Sequence, residues 1–206
     1  MTLLGNTELI NTSFDDPQSN PMILLQKWLD AAEEIGINES KGFVLSTVNS
    51  NCIPSSRVVL LKELDQTGII FTSKDDGIKG KDLTLNPWAA GNFWWRETIQ
   101  QISLQGIVNK LSTSKSDELF YERTRDKQAV AVLSKQSLLL DDEAELRNKV
   151  KQLINSSDEI VRPKNWHAYH LAIQSIEFWI GNKNRFHQRL RYDLKSGHWN
   201  YKRLQP

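Results

Sequence analysis

The sequence predicts a mainly β, α+β chain: an antiparallel barrel with helices packed on its periphery. Three observations carry that expectation. β-rich segments separated by turn residues succeed one another from 43 to 110. The chain returns to strands from 167 to 204. The helical stretches between strands are few and short, which does not suit the crossovers of a parallel sheet.

The 206 residues suffice for one well-packed domain, expected at 19–206 and preceded by an aperiodic polar arm at 1–18. Asn20-Pro21 opens a helix, with Asn20 as cap and Pro21 in the first turn. Leu25, Trp28, Leu29, Ala32 and Ile35 recur at helical spacing, and Gly36 closes the run. Phe43–Val48 is the first strand, ended by Asn49-Ser50-Asn51. Ser56–Lys62 contains Val58-Val59-Leu60-Leu61, an apolar run without alternation, as expected of a strand buried on both faces. After the turn Asp65-Gln66-Thr67-Gly68 comes the strand Ile69–Ser73, then a short helix at 78–85 stopped by Asn86-Pro87. Trp88–Trp95 and Ile99–Lys110 form a hairpin. Ser114-Lys115-Ser116-Asp117 resembles a capping box for a helix to about Arg123, and Lys127–Leu133 and Asp141–Ile154 are further helices. The final strands are expected at 167–173, 175–180, 185–193 and 198–204, with Ser196-Gly197 turning the last pair.

The bulk chemistry narrows function. A net charge of +1 provides no broad basic surface for a nucleic acid. A single cysteine, Cys52, excludes a disulfide framework and a multi-cysteine metal site. No apolar run is long enough to span a bilayer and no signal pattern opens the chain, so a cytoplasmic protein is expected. Glycine-rich phosphate loops and a nucleophile elbow are absent. His167 and His170 fall on opposite faces of their strand, which is poor for shared metal ligation, and no metal is expected.

The stretch 184–192 is different. At a strand's period Arg185, His187, Arg189 and Arg191 share one face, and Phe186, Gln188, Leu190 and Tyr192 the other. Cations so aligned repel one another unless an anion lies across them; the alternative is a solvated edge strand that discourages pairing. Polar or cationic residues at other element ends add Arg57, Lys62, Thr72, Ser73, Lys79, Gln101, Arg123, Gln136 and Ser137. Cations, hydroxyls and amides without an evident base, metal set or nucleophile describe a site for an anionic cofactor that carries the chemistry itself.

Several motifs carry a resemblance. Ser56-Arg57-Val58-Val59-Leu60-Leu61-Lys62, Gln100-Gln101, Lys135-Gln136-Ser137, Ile176-Glu177-Phe178-Trp179, Arg185–Tyr192 and Trp199–Pro206 resemble, in order, the successive motifs of the pyridoxamine 5′-phosphate oxidase family. The resemblance implies an FMN-binding split β-barrel, a Greek-key homodimer with FMN at the subunit interface. It implies cofactor contacts from Arg57, Val58, Lys62, Thr72, Ser73, Lys79, Gln101, Gln136, Ser137, Trp179 and Arg189. Lys62, Arg123, Arg185 and His187 match positions that grip the substrate, and Arg185 and His187 those nearest the reaction. Arg57 and Lys62 lie an odd number of residues apart, so a flat strand would aim them to opposite faces; a twisted strand at a dimer interface removes the difficulty.

The chain also departs from the family pattern. Gly77-Ile78-Lys79 replaces Ser-Arg-Lys in the phosphate loop, and Leu119 and Lys127 replace a Tyr and a Ser that hold the substrate phosphate in the vitamin enzymes. Val130-Ala131-Val132 stands where those enzymes have Gly-Ala-Trp. Asn86–Gly91, Trp95–Thr98, Gln100–Ile102 and Arg203–Pro206 are closer to the flavin oxidases of phenazine biosynthesis. That branch implies aromatising oxidation of dihydrophenazine carboxylic acids, small anionic heterocycles, with O2 as acceptor. Lys62 favours the alternative, a pyridoxamine/pyridoxine 5′-phosphate oxidase. A non-catalytic flavin-binding module is the third reading.

Overall fold

The computed structural model describes residues 14–206. Helix α1 (Pro21–Glu34) begins where the Asn20 side chain accepts the Met22 amide at 2.9 Å, and ends before Gly36, whose φ of 74° favours glycine. Its apolar stripe plugs the barrel: Trp28 meets Phe178 edge-on at 5.2 Å and Trp95 at 6.3 Å. Most of the expected arm, 1–13, lies outside the described residues. Its last part is docked. Phe14 stacks on Trp28 at 6.1 Å, and the Gln18 carbonyl accepts from the Tyr192 hydroxyl at 3.0 Å.

The strands are β1 (Gly42–Val48), β2 (Pro54–Leu60), β3 (Glu63–Leu64), β4 (Gly68–Lys74), β5 (Trp88–Trp95), β6 (Gln100–Lys110), β7 (Trp166–Ile180), β8 (Gln188–Lys195) and β9 (His198–Arg203). All pair antiparallel, in the order β2-β1-β5-β6-β7-β4-β3, with the β8–β9 hairpin branching from β7. Two expected strands, 167–173 and 175–180, are one continuous β7. Its first half, Gly68's partner Ala172 back to Trp166, pairs with β4, and its second half, Ser175 to Ile180, pairs with β8. The barrel splits there, beside a register shift in β6 between Gln105 and Gly106. A Cβ on Gly106 would lie 2.1 Å from the Ala172 carbonyl oxygen, so only glycine permits this approach.

Two further expectations need correction. β2 is not buried on both faces: Val58 is 69% exposed and Leu60 44%, because β2 is an edge strand that pairs with β1, and among the described residues nothing covers its outer face. The late strand starts at Gln188 rather than 185; Arg185, at φ 68°, lies in the preceding loop. The cations on β8 are neutralised internally. Arg189 makes a bidentate pair with Glu177 (Nε–Oε1 2.7 Å, Nη2–Oε2 3.1 Å), and Arg191 bonds Asp193 at 2.8 Å. Their mutual repulsion is therefore answered, without a ligand, by Glu177 from the neighbouring strand β7 and by Asp193 two residues on in β8 itself.

Asp193 joins β7, β8 and β9. Burial opposes its charge, but hydrogen bonds from Lys202, Arg191 and Ser175 outweigh this and hold its carboxyl at about 2. A carboxylate depressed in the folded state contributes stability above its unfolded pKa of about 3.9 and loses it as pH falls toward the folded value. Acid denaturation from about pH 4 to pH 2 is thus expected to be steeper in the wild type than in Asp193→Asn, measured by far-UV circular dichroism. At neutral pH that variant should cost roughly 1–2 kcal/mol.

Helices α2 (Ile78–Leu85), α3 (Thr113–Tyr121), α4 (Arg125–Leu133) and α5 (Glu143–Asn155) complete the fold. The cap of α3 is Ser112, two residues before the expected Ser114: its hydroxyl accepts the Lys115 amide at 3.1 Å. α3 and α4 bury Leu119, Phe120, Ala129 and Ala131 against Trp166 and Ala168, a second core outside the barrel. α5 has no buried residue and is tied down by Arg125, whose guanidinium donates to the carbonyls of Leu153, Ile154, Ser156 and Asp158 at 2.8–2.9 Å. The first two are carbonyls of the last turn of α5, which a helix end otherwise leaves open. Arg125→Ala should cost roughly 2–3 kcal/mol and lower the melting temperature by about 5–10 °C in a thermal scan.

Candidate active site

Antiparallel pairing to β7 brings the end of β4 beside the edge strand β2, and α4 closes over the gap. The result is a cavity of about 340 Å³. Val58, Val59 and Leu60 form one wall, and Thr72, Ser73 and Lys74 another. Lys79 enters from α2, Arg123 and Lys127 from the α3–α4 region, and Ser134 and Gln136 from the loop after α4. Ser73, Lys74 and Lys79 are buried, Thr72 and Arg123 half-buried, and Lys62, Lys127 and Gln136 exposed around the mouth.

Five of the lining side chains are cationic (Lys62, Lys74, Lys79, Arg123 and Lys127), and among the described residues no carboxylate lines the cavity. The Lys79 ammonium donates to Gln136 Oε1 at 3.0 Å, and Lys74 donates to the Ser134 carbonyl. The Arg123 guanidinium lies 5.4 Å from the Trp166 ring centre. Burial lowers the pKa of Lys79, and the neighbouring Arg57 charge adds to the effect. Burial also lowers that of Lys62, followed by repulsion from Arg123 and Lys127. An anion inside the cavity relieves both penalties, so the donor set fits a phosphate or carboxylate.

Arg57 stands behind this wall, next to Lys79. It donates to Thr47 Oγ1 at 2.7 Å, to Ser55 Oγ at 2.5 Å and to the Leu45 carbonyl at 3.3 Å. Nε and one Nη2 hydrogen keep no partner among the described residues, a fork suited to two phosphate oxygens.

A second group gathers at the other end of β7. Trp94, Gln101, Trp179 and Arg189 lie in one cross-strand row on the outer face of the sheet. Trp179 is 6.2 Å from Trp94 and 4.7 Å from His187, which makes an aromatic shelf, and Gln101 bonds Ser103 at 2.9 Å. Arg185 is exposed beside it, and His187 Nδ1 accepts the Asn182 amide at 3.0 Å. Arg189 reaches any ligand only as part of its pair with Glu177.

Of the residues expected from sequence, Val58, Lys62, Thr72, Ser73, Lys79, Arg123 and Gln136 therefore line one cavity, with Arg57 adjoining. Gln101, Trp179, Arg185, His187 and Arg189 form the separate shelf. Ser137 follows Gln136 but does not line the cavity; like Arg185 it holds a positive φ of 68°. Thr72 pairs with Ala168, 11 residues before Trp179 on β7, so the two groups lie roughly 35 Å apart along the strand at 3.3 Å per residue. Lys127, noted in sequence only as replacing a phosphate-holding Ser, lines the cavity as well, and Lys74, Ser134 and Trp94 were not expected. Of these three, Lys74 carried a sequence signal, as a cation ending a strand beside Thr72-Ser73. Among the described residues no group of three or more His, Cys, Asp or Glu is placed to hold a metal, and no helix is long and apolar enough to cross a membrane.

Residues 29–157 match the family model described as pyridoxamine 5′-phosphate oxidase, and residues 166–206 match the pyridoxine 5′-phosphate oxidase C-terminal dimerisation region. The chain is similar to the dihydrophenazinedicarboxylate synthase of Pseudomonas chlororaphis, 35% identical over 205 residues, covering 100% of this chain and 92% of that one. It is also similar to the pyridoxine/pyridoxamine 5′-phosphate oxidase of Mannheimia succiniciproducens, 37% identical, covering 91% and 89% of the two chains. Among solved structures, PhzG from Burkholderia lata in complex with tetrahydrophenazine-1-carboxylic acid superposes with a TM-score of 0.94 at 35% identity, covering 98% of this chain and 100% of that one.

Proposed function

The chain belongs to the pyridoxamine 5′-phosphate oxidase family, a family of oxidoreductases, and from that premise we propose that it is an FMN-dependent oxidase of reduced, carboxylated phenazines working as a homodimer. The observation that carries the substrate reading is the cation-rich cavity mouth. Leu119, at a position where the vitamin enzymes hold the substrate phosphate, is buried in the second core and has no donor to offer. Lys127 meanwhile adds a cation beside Lys62 and Arg123. Loss of a neutral phosphate ligand and gain of a charge suit a substrate with more than one carboxylate. Kinship with a dihydrophenazinedicarboxylate synthase supports the same class.

Arg57 and Lys79, helped by Thr72, Ser73 and Ser137, would hold the FMN phosphate, and Gln136 would hydrogen-bond the flavin. Gln101, Trp179, Arg185, His187 and Arg189 lie too far along β7 to complete the same cavity, so a second copy would supply its own shelf to it. The 166–206 match to a dimerisation region supports that arrangement. Bound FMN would supply the two-electron oxidation and pass the electrons to O2, giving hydrogen peroxide. The protein would orient the substrate carboxylates with Lys62, Arg123 and Arg185, and His187 would steady charge at the ring. Aromatisation of the product makes a strong general base unnecessary.

Lys62 favours a second substrate reading, pyridoxamine or pyridoxine 5′-phosphate, for which it is a typical ligand. Anaerobic stopped-flow mixing separates the two. The flavin absorbance should bleach rapidly with a dihydrophenazine carboxylate and slowly with the vitamin phosphates; the reverse order would transfer the protein to vitamin metabolism.

A further inference from the structure

Asp82 lies on α2, three residues after Lys79 and so on the same side of the helix. It is 5% exposed, yet among the described residues no cation pairs with it directly. Its Oδ2 instead accepts the Thr47 hydroxyl at 2.7 Å and the Ser55 hydroxyl at 3.3 Å. Those two hydroxyls are the ones to which Arg57 donates.

Proton bookkeeping gives the arrangement a direction. A hydroxyl has one hydrogen, and an ionised carboxylate can only accept. Thr47 and Ser55 must therefore point their hydrogens at Asp82, which leaves their lone pairs facing the guanidinium. Nη1 is used up by Thr47 and the Leu45 carbonyl, and Nη2 gives one hydrogen to Ser55. What remains is Nε–H and one Nη2 hydrogen, beside the Lys79 ammonium.

We infer that Asp82 is a positioning residue for a phosphate ester: through the Thr47 and Ser55 hydroxyls it locks Arg57 so that one guanidinium fork faces the same anion as Lys79. One face of α2 thus sets both cations, one directly and one through a relay. The inference rests on the flavin reading above and concerns only the phosphate end of that ligand.

The test measures binding of FMN and of riboflavin, which lacks the phosphate, to apoprotein by quenching of flavin fluorescence. Asp82→Ala is expected to weaken FMN about tenfold, as for loss of a charge-assisted hydrogen-bond relay, and to leave riboflavin unchanged. Asp82→Asn, whose Oδ1 can still accept both hydroxyls, should recover most of the FMN affinity. Thr47→Val, which cuts the relay without touching α2, should reproduce the selective loss and serves where Asp82→Ala fails to fold. If Asp82 merely neutralised Arg57, its removal would tighten FMN. FMN affinity that is unchanged or improved, or that falls in step with riboflavin, overturns the proposal. Wild-type protein that binds neither flavin overturns the flavin reading itself, whereas wild-type protein that binds FMN no better than Asp82→Ala does removes only the role of Asp82.

Discussion

Val44→Asp is expected to yield a folded monomer that does not retain flavin. Val44 is on the outer face of β1, 38% exposed, opposite Val58 on β2 and Asn92 on β5. By strand periodicity the same face carries Trp94, 46% exposed, and continues across the sheet to Gln101 and Trp179. A lone chain leaves this apolar area to water, whereas a second copy would cover it. A carboxylate at 44 costs an isolated chain little, since the site is already partly wet. Buried without a partner at a two-fold interface it costs roughly 3–5 kcal/mol in each copy, enough to weaken dimerisation by at least about 10³-fold. Sedimentation velocity with absorbance detection reads assembly and bound flavin together. A Val44→Asp protein that stays dimeric and yellow would place the interface elsewhere and leave the two halves of the site unexplained. Since Val44 does not line the cavity, lost flavin could not be blamed on a lost contact.

The second large effect concerns the substrate. Arg123 is half-buried over Trp166 and has no carboxylate partner among the described residues. Burial lowers its pKa, with partial compensation from Asp126, but a guanidinium stays charged at neutral pH. Its charge is therefore available to a ligand. Arg123→Ala removes a charge-assisted contact worth about 2–3 kcal/mol, so kcat/KM for a dihydrophenazine dicarboxylate should fall roughly 30- to 150-fold while FMN content is kept. Lys127, exposed at the mouth, should contribute less, about three- to tenfold, because solvent screens it. The two losses should be larger for a dicarboxylate than for a monocarboxylate. Equal losses for both substrates would mean that Arg123 and Lys127 do not count charges and that the cavity mouth was misassigned.

Much of the scaffold could be read before any coordinates. Asn20 and Gly36 bracket α1 because a side-chain acceptor and a positive φ are local requirements that each residue meets by itself. Lys62, Thr72, Ser73, Lys79, Arg123 and Gln136 were legible as a group because cations and hydroxyls at element ends are rarely there for packing, and the structure gathers them in one cavity. The charge pattern on β8 was visible too, but its meaning was not. Asp193, two residues on in the same strand, answers Arg191, but Glu177 answers Arg189 only because β7 and β8 pair in one register, and register is a relation between strands that periodicity within either strand does not contain.

By itself, then, the amino-acid order determined most strands and helices, the family, and the cationic, hydroxyl-bearing residues that come to line the cavity, since these follow from local propensity and side-chain chemistry. Only the tertiary structure decided that β7 is one strand that pairs with β4 and then β8 along one edge, that β2 is an edge, that Asp82 stands behind Arg57, and that the expected site residues fall into two groups at opposite ends of a strand. The reason is physical: those facts depend on which segments meet across long loops. That choice is made by packing the whole apolar set at once rather than by any stretch of sequence alone.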